Sequence, residues 1–127
     1  MTGRPHGGGF TLIELLVVMA IIGMLLSIAL PRYFHTLERS RETVLRQDLS
    51  IMRDAIDKHL GDYDQYPDSL AALVERKYLR AVPVDPFMKS RDDWQMIPSD
   101  DPDHPGIRDV RSVAPGKGDD GTAFSEW

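Results

Sequence analysis

Residues Gly7–Pro31 read GGGFTLIELLVVMAIIGMLLSIALP. From Phe10 to Leu30 the run holds 21 residues and a single formal charge, Glu14. Coiled as an α-helix at 1.5 Å per residue it spans about 31 Å, enough for the ~30 Å hydrocarbon core of a bilayer. Thr11 and Ser27 are its only other hydrophilic side chains, and both hydroxyls can bond back to their own helix backbone. Pro31 is expected to mark a bend or a change of partner. A charge at the bilayer midplane costs roughly 2.5–3.5 kcal/mol on insertion scales, so an acid in such a segment faces protein or pairs. Glu14 sits near one end, where the interface relieves part of that cost.

Beyond the run, Arg32 to about Leu60 keeps a helical register. Leu37, Val44, Leu45, Leu49, Met52, Ala55, Ile56, His59 and Leu60 recur mostly at three- and four-residue steps. Arg39, Arg41, Glu42, Arg46, Asp48, Arg53, Asp54 and Asp57 occupy much of the remaining surface. The two parts therefore predict one long helix, closed by Gly61 and Asp62. Asp68 is expected to cap a short helix over Ser69–Arg76, with Leu70, Leu73 and Val74 as its apolar face. A proline-fixed loop follows from Val82 to Phe87. Trp94–Ile97 and Asp109–Val113 read as strands, separated by the acidic loop Ser99–Gly106, and the tail Ala114–Trp127 reads as irregular. The expected fold class is α+β: a long N-terminal helix packed on a small domain with a short helix and a small antiparallel sheet.

The chain has 127 residues, a formal charge of −5 and no cysteine. That balance excludes a generally basic nucleic-acid binder. Residues 32–127 suffice for one small domain with a thin core. Lack of cysteine fits a reducing cytosol, and equally an exported domain stabilised without disulfides. Arg32, Arg39, Arg41 and Arg46 follow the apolar run, whereas Arg4 alone precedes it. The positive-inside count would therefore keep the domain in the cytoplasm.

The segment Gly9, Phe10, Thr11, Leu12, Ile13, Glu14, followed by an unbroken apolar helix, resembles the class III signal of type IV pilins and type II secretion pseudopilins. The later order resembles the major, G-type pseudopilin: Tyr66-Pro67, Leu70, Leu73, Tyr78-Leu79, Pro83, Asp85-Pro86 and a tail ending in Trp127. The resemblance implies that residues 1–9 are a leader and residues 10–31 a transmembrane and assembly helix. Residues 32–127 would then be the soluble domain. A prepilin peptidase would cut between Gly9 and Phe10 and methylate the new amine of Phe10. Loss of the leader, which carries Arg4 and no acid, takes the charge from −5 to −6. Glu14 would meet the amine of a subunit already in the filament, pairing two charges that are each costly in lipid. The domain would then lie outside the membrane, against the charge count, and the motif is the more specific of the two signals.

The same resemblance implies a structural calcium in the tail loop GKGDDGT, on Asp119 and Asp120. Calcium takes 6–8 oxygens, of which two carboxylates supply part. Asp100, Asp101, Asp103 and His104 form a second acidic cluster, read as a solvated hairpin loop. No phosphate loop surrounds Lys117. His35, His59 and His104 lack zinc spacing. His59 is read as a packed core residue, and nothing positions a base for Ser112 or Ser125. No catalytic set emerges, and no enzyme is expected.

The leading reading is a structural subunit of a periplasmic pseudopilus that drives type II protein secretion. Its implied partners are further copies of the chain, minor pseudopilins, the prepilin peptidase and an inner-membrane assembly platform. It would be made in the bacterial inner membrane as a single-pass precursor. A type IV pilus or DNA-uptake pilin is the alternative within the family. A single-span protein with a ligand-binding domain is the alternative from another class. A signal peptide cut after Ser27-Ile28-Ala29 is also weighed, but the run exceeds the usual core length and contains an acid.

Overall fold

The computed structural model describes residues 9–127, so the expected leader lies mostly outside the described residues. Two compact units emerge, the first ending at Leu37 and the second running Glu38–Trp127. One helix, α1, runs Leu12–Tyr63 and contributes to both. It passes through Pro31 without a break in assigned helix, although proline supplies no N–H for the Ser27 carbonyl. It also runs through Gly61 and Asp62, the expected stop, to Tyr63. Asp64 ends it instead, in the left-handed region at φ 56°, with its N–H donating to the Leu60 carbonyl at 2.8 Å.

In the first unit, the large apolar side chains between Phe10 and Leu30 are all exposed. Among the described residues, α1 is the one helix long and apolar enough to cross a membrane. In the second unit the same helix turns amphipathic. Leu45, Leu49, Met52, Ile56 and His59, at steps of four and three, are buried together with Ala55. They join one core with Leu70, Leu73, Leu79, Trp94, Ile107, Val110, Ala114 and Phe124.

The short helix α2 is Leu70–Glu75. Its cap is Ser69 rather than the expected Asp68: the Ser69 hydroxyl accepts from Ala72 N at 3.1 Å. Strands β1 (Gln95–Pro98) and β2 (Ile107–Arg111) pair antiparallel, each displaced from the expected span. Ile97 pairs with Asp109 but Pro98 with Ile107, so Arg108 is an extra residue in β2. This bulge breaks the two-residue alternation and turns both Ile107 and Val110 into the core, although they are three apart. Gly106 makes the turn into β2 at φ +122°, and a Cβ there would lie 2.7 Å from the Tyr66 carbonyl oxygen. The tail adds a bridge between Lys117 and Ala123 and a 3₁₀ turn, Phe124–Glu126. The α+β class and the small antiparallel sheet are as expected.

Candidate functional site

The start of α1 is set by Thr11. Its hydroxyl accepts from Glu14 N at 3.1 Å, satisfying one of the free N–H groups of the first turn. With Glu14 three residues on, Thr11-x-x-Glu14 has the sequence of a capping box. Among the described residues, however, Glu14 takes part in no ion pair, and it stays exposed. Phe10 is also exposed, at 73%. An exposed acid, an exposed Phe10 and a bare apolar helix thus occupy one end of the first unit.

In the second unit three arginines of α1 organise the tail. Arg39 Nε lies 3.2 Å from Asp119 Oδ2, and Arg46 Nη2 donates to Asp120 Oδ2 at 3.0 Å. The Arg46 guanidinium also stacks 3.9 Å above the Trp127 ring. Trp127 Nε1 donates to Thr122 Oγ1 at 2.6 Å, and Thr122 donates to Asp120 Oδ1 at 2.6 Å. Arg46, Asp120, Thr122 and Trp127 therefore close a ring of contacts. The Thr122 hydroxyl and N–H, and then Arg46, hold the Asp120 carboxyl below the usual range. Gly118 permits the close approach: a Cβ there would lie 2.2 Å from a Trp127 ring carbon. Arg53 is half-buried. It donates to Asp109 Oδ1 at 2.8 Å, to the Val110 carbonyl at 2.9 Å and to the Trp127 carbonyl.

Asp119 and Asp120 therefore face different arginines and do not share one coordination point. Among the described residues no group of three or more His, Cys, Asp or Glu side chains could hold a metal ion. As arranged, the loop does not fit a calcium shell.

The remaining candidates resolve as follows. His104 Nδ1 lies 2.8 Å from Asp101 Oδ2 and Nε2 lies 3.2 Å from Asp64 Oδ1, tying the hairpin loop to the end of α1. Asp101, then Asp64, pushes the His104 pKa up. Asp100 lies 3.6 Å from Arg108 Nη2, and Asp103 N donates to Asp101 Oδ1 at 2.9 Å. His59 is buried as expected, with Nδ1 2.6 Å from the Gln65 carbonyl and Nε2 2.6 Å from Arg76 Nη1. Those partners fit Nδ1 as the donor to the carbonyl and Nε2 as the acceptor from the guanidinium. Beside it, the Tyr78 hydroxyl donates to Asp62, and that bond pushes its pKa up to about 12. Ser112 is buried and donates to Asp85 Oδ2 at 2.6 Å, so its hydroxyl is committed to structure. Asp85 itself is 1% exposed and accepts from Phe87 N and Met88 N at 2.9 and 3.2 Å. Burial, and then the Asp85 charge, raises the pKa of Asp48. Composition and periodicity missed the roles of Arg53 and Asp85. The seven-residue spacing of Arg39, Arg46 and Arg53 is the signal that could have found the first.

The prokaryotic N-terminal methylation motif matches residues 5–30. The type II secretion system core protein G of Pseudomonas aeruginosa is 31% identical over 100 residues, covering 66% of this chain and 70% of that protein. The core protein G of Klebsiella pneumoniae is 30% identical over 123 residues, covering 84% of each. The chain belongs to the type II secretion system core protein G family. This is the G-type pseudopilin branch of the type IV pilin family. The type IV major pilin PilA of Myxococcus xanthus is 38% identical over 65 residues, but that covers 51% of this chain and 30% of PilA. No solved structure gives a significant match. Within the domain, Pro67 and Asp85 are buried, so Tyr66-Pro67 and Asp85-Pro86 are packing elements.

Proposed function

We propose that the chain is a structural subunit of a pseudopilus filament serving type II secretion. The observation that carries this reading is the first unit of a core protein G relative: a helix with every large apolar side chain from Phe10 to Leu30 exposed, and one acid, Glu14, in its first turn. Such a surface has to be covered by lipid before assembly and by other copies after it. Cleavage between Gly9 and Phe10 places a free amine one turn from Glu14. Glu14 of an entering subunit then pairs with the amine of a neighbour, which removes two isolated charges from a low-dielectric environment and fixes register. Methylation of that amine keeps its positive charge, so the pairing survives it.

In this reading the precursor sits in the inner membrane with its domain in the periplasm. It meets the prepilin peptidase, an assembly platform and minor pseudopilins there. The pilin relatives support a pilus subunit less well, because their matches cover smaller shares of the longer pilins.

Coexpression with a prepilin peptidase, followed by intact-mass analysis, tests the processing step. The expected product begins at a methylated Phe10. A chain beginning at Leu30 would instead establish signal-peptide cleavage after Ala29 and remove the filament reading.

A further inference from the structure

Arg39, Arg46 and Arg53 are seven residues apart on α1. Seven residues turn a helix through about 700°, so the three side chains leave from nearly one face, stepping roughly 10.5 Å along the axis each time. Each grips a different part of the last strand and tail: Asp119 by Arg39, Asp120 and the Trp127 ring by Arg46, and Asp109 with two carbonyls by Arg53. We infer that this arginine ladder does the work of a metal ion, docking the Asp119–Asp120 loop onto α1 without calcium.

Three observations carry the inference. First, calcium needs 6–8 oxygens converging at about 2.3–2.6 Å. Adjacent carboxylates directed at arginines one ladder step apart diverge instead. Second, both Asp120 carboxylate oxygens and two of the loop carbonyls already accept hydrogen bonds. Asp120 Oδ1 takes both the Thr122 N–H and its hydroxyl, at 3.0 and 2.6 Å, while Oδ2 takes Arg46. The Gly118 carbonyl takes Gly121 N at 3.0 Å and the Thr122 carbonyl takes Gly118 N at 2.9 Å. Third, the charges are balanced without an ion. Two guanidinium groups face two carboxylates, and a dication entering between them would meet fixed positive charge on the helix side.

The rungs are not equal. Arg39 and Asp119 are 67% and 46% exposed, so salt screens this rung and it contributes least. Arg46 adds an aromatic face to its ion pair. Arg53 and Asp109, at 35% and 26% exposure, form the shielded rung. The tail should accordingly loosen from α1 at its Asp119–Asp120 loop as salt rises, while the contacts to Arg53 hold.

The test uses the full chain in detergent micelles, melted in millimolar calcium and in chelator at equal ionic strength. The expected result is the same Tm in both, with a lower Tm at high salt. An ion held at a hundredfold excess over its Kd would lift Tm by roughly 10 °C or more, and such a rise would overturn the inference. Terbium supplies a second readout, because Trp127 lies against the loop and would sensitise a lanthanide bound there. No calcium-competed terbium emission is expected. Emission that calcium quenches, and that Asp119→Asn with Asp120→Asn abolishes, would also overturn it. Arg46→Gln should lower Tm and shift the Trp127 fluorescence to the red, with no recovery on adding calcium. An unchanged Tm and spectrum in that variant would remove Arg46 from the ladder. The wild-type comparison decides the metal question even where a variant fails to fold.

Discussion

Arg53 Nε donates to Asp109 Oδ1 at 2.8 Å, and this one pair joins the C-terminal part of α1 to β2. Because the same guanidinium also reaches the Val110 and Trp127 carbonyls, helix, strand and tail meet at a single side chain. Arg53→Met should therefore destabilise the domain by about 2 kcal/mol, since it strands a half-buried carboxylate and frees two carbonyls. That corresponds to a Tm lowered by roughly 8–16 °C for a domain of this size. Adding Asp109→Asn should restore part of the loss by removing the orphan charge, and a thermal double-mutant cycle measures the coupling. Strictly additive losses would show that the pair is not coupled.

His104 makes the hairpin loop sensitive to pH. Its folded pKa lies above the ordinary 6.5, chiefly through Asp101 and then Asp64. Its contribution is therefore complete below pH about 6.5 and is lost as pH rises through the raised value. The Asp101 pKa is lowered, first by the His104 bond, so its contribution is present above pH about 3.8 and lost as pH falls through the lowered value. The stabilisation of wild type over His104→Gln should peak between pH about 4 and 6.5 and decline above it. Tm measured against pH for both proteins checks this. A difference that grows toward high pH would contradict the assignment.

Glu14→Ala should leave membrane insertion intact or improve it, because a charge leaves an apolar helix. Filament yield in a shear or pelleting assay on processed protein should fall sharply. Filaments at wild-type yield would show that assembly does not depend on the acid.

Gly118→Ala places a methyl group 2.2 Å from the Trp127 ring unless the loop or the ring moves. Overpacking of this kind costs about 1–3 kcal/mol, and it should separate Trp127 from Arg46. A lowered Tm together with a red shift in tryptophan emission is the expected pair of readouts. A wild-type spectrum would mean that the ring contact is replaced elsewhere.

Much of this was legible in the sequence because it depends on local pattern. The four–three spacing from Leu45 to His59 announces the buried helix face, and the apolar run to Leu30 announces the span. Boundaries depend on finer competition. Asp68 and Ser69 are both good caps, and only backbone geometry chooses the serine. Gly61 can end a helix but also sits inside one at a cost of about 1 kcal/mol relative to Ala. The bulge at Arg108 obscured where β2 begins, since it converts a two-residue alternation into the three-residue interval from Ile107 to Val110. The tail was least legible because its partners lie 74 residues away on α1, in the pair Arg46–Asp120. Two of the arginines that weighed on the topology count, Arg39 and Arg46, face carboxylates in the folded chain.

The side chains of Leu12–Leu30 are exposed, whereas the core draws on Leu45 and later residues. The two stretches of α1 therefore answer to different environments. A substitution in the first alters how the chain suits lipid or its own copies and leaves the melting of the domain unchanged. A substitution in the second changes the melting and leaves that suitability alone. Sequence drift in one stretch thus needs no compensating change in the other, and a chimera exchanging only the first stretch should keep the thermal behaviour of its domain donor.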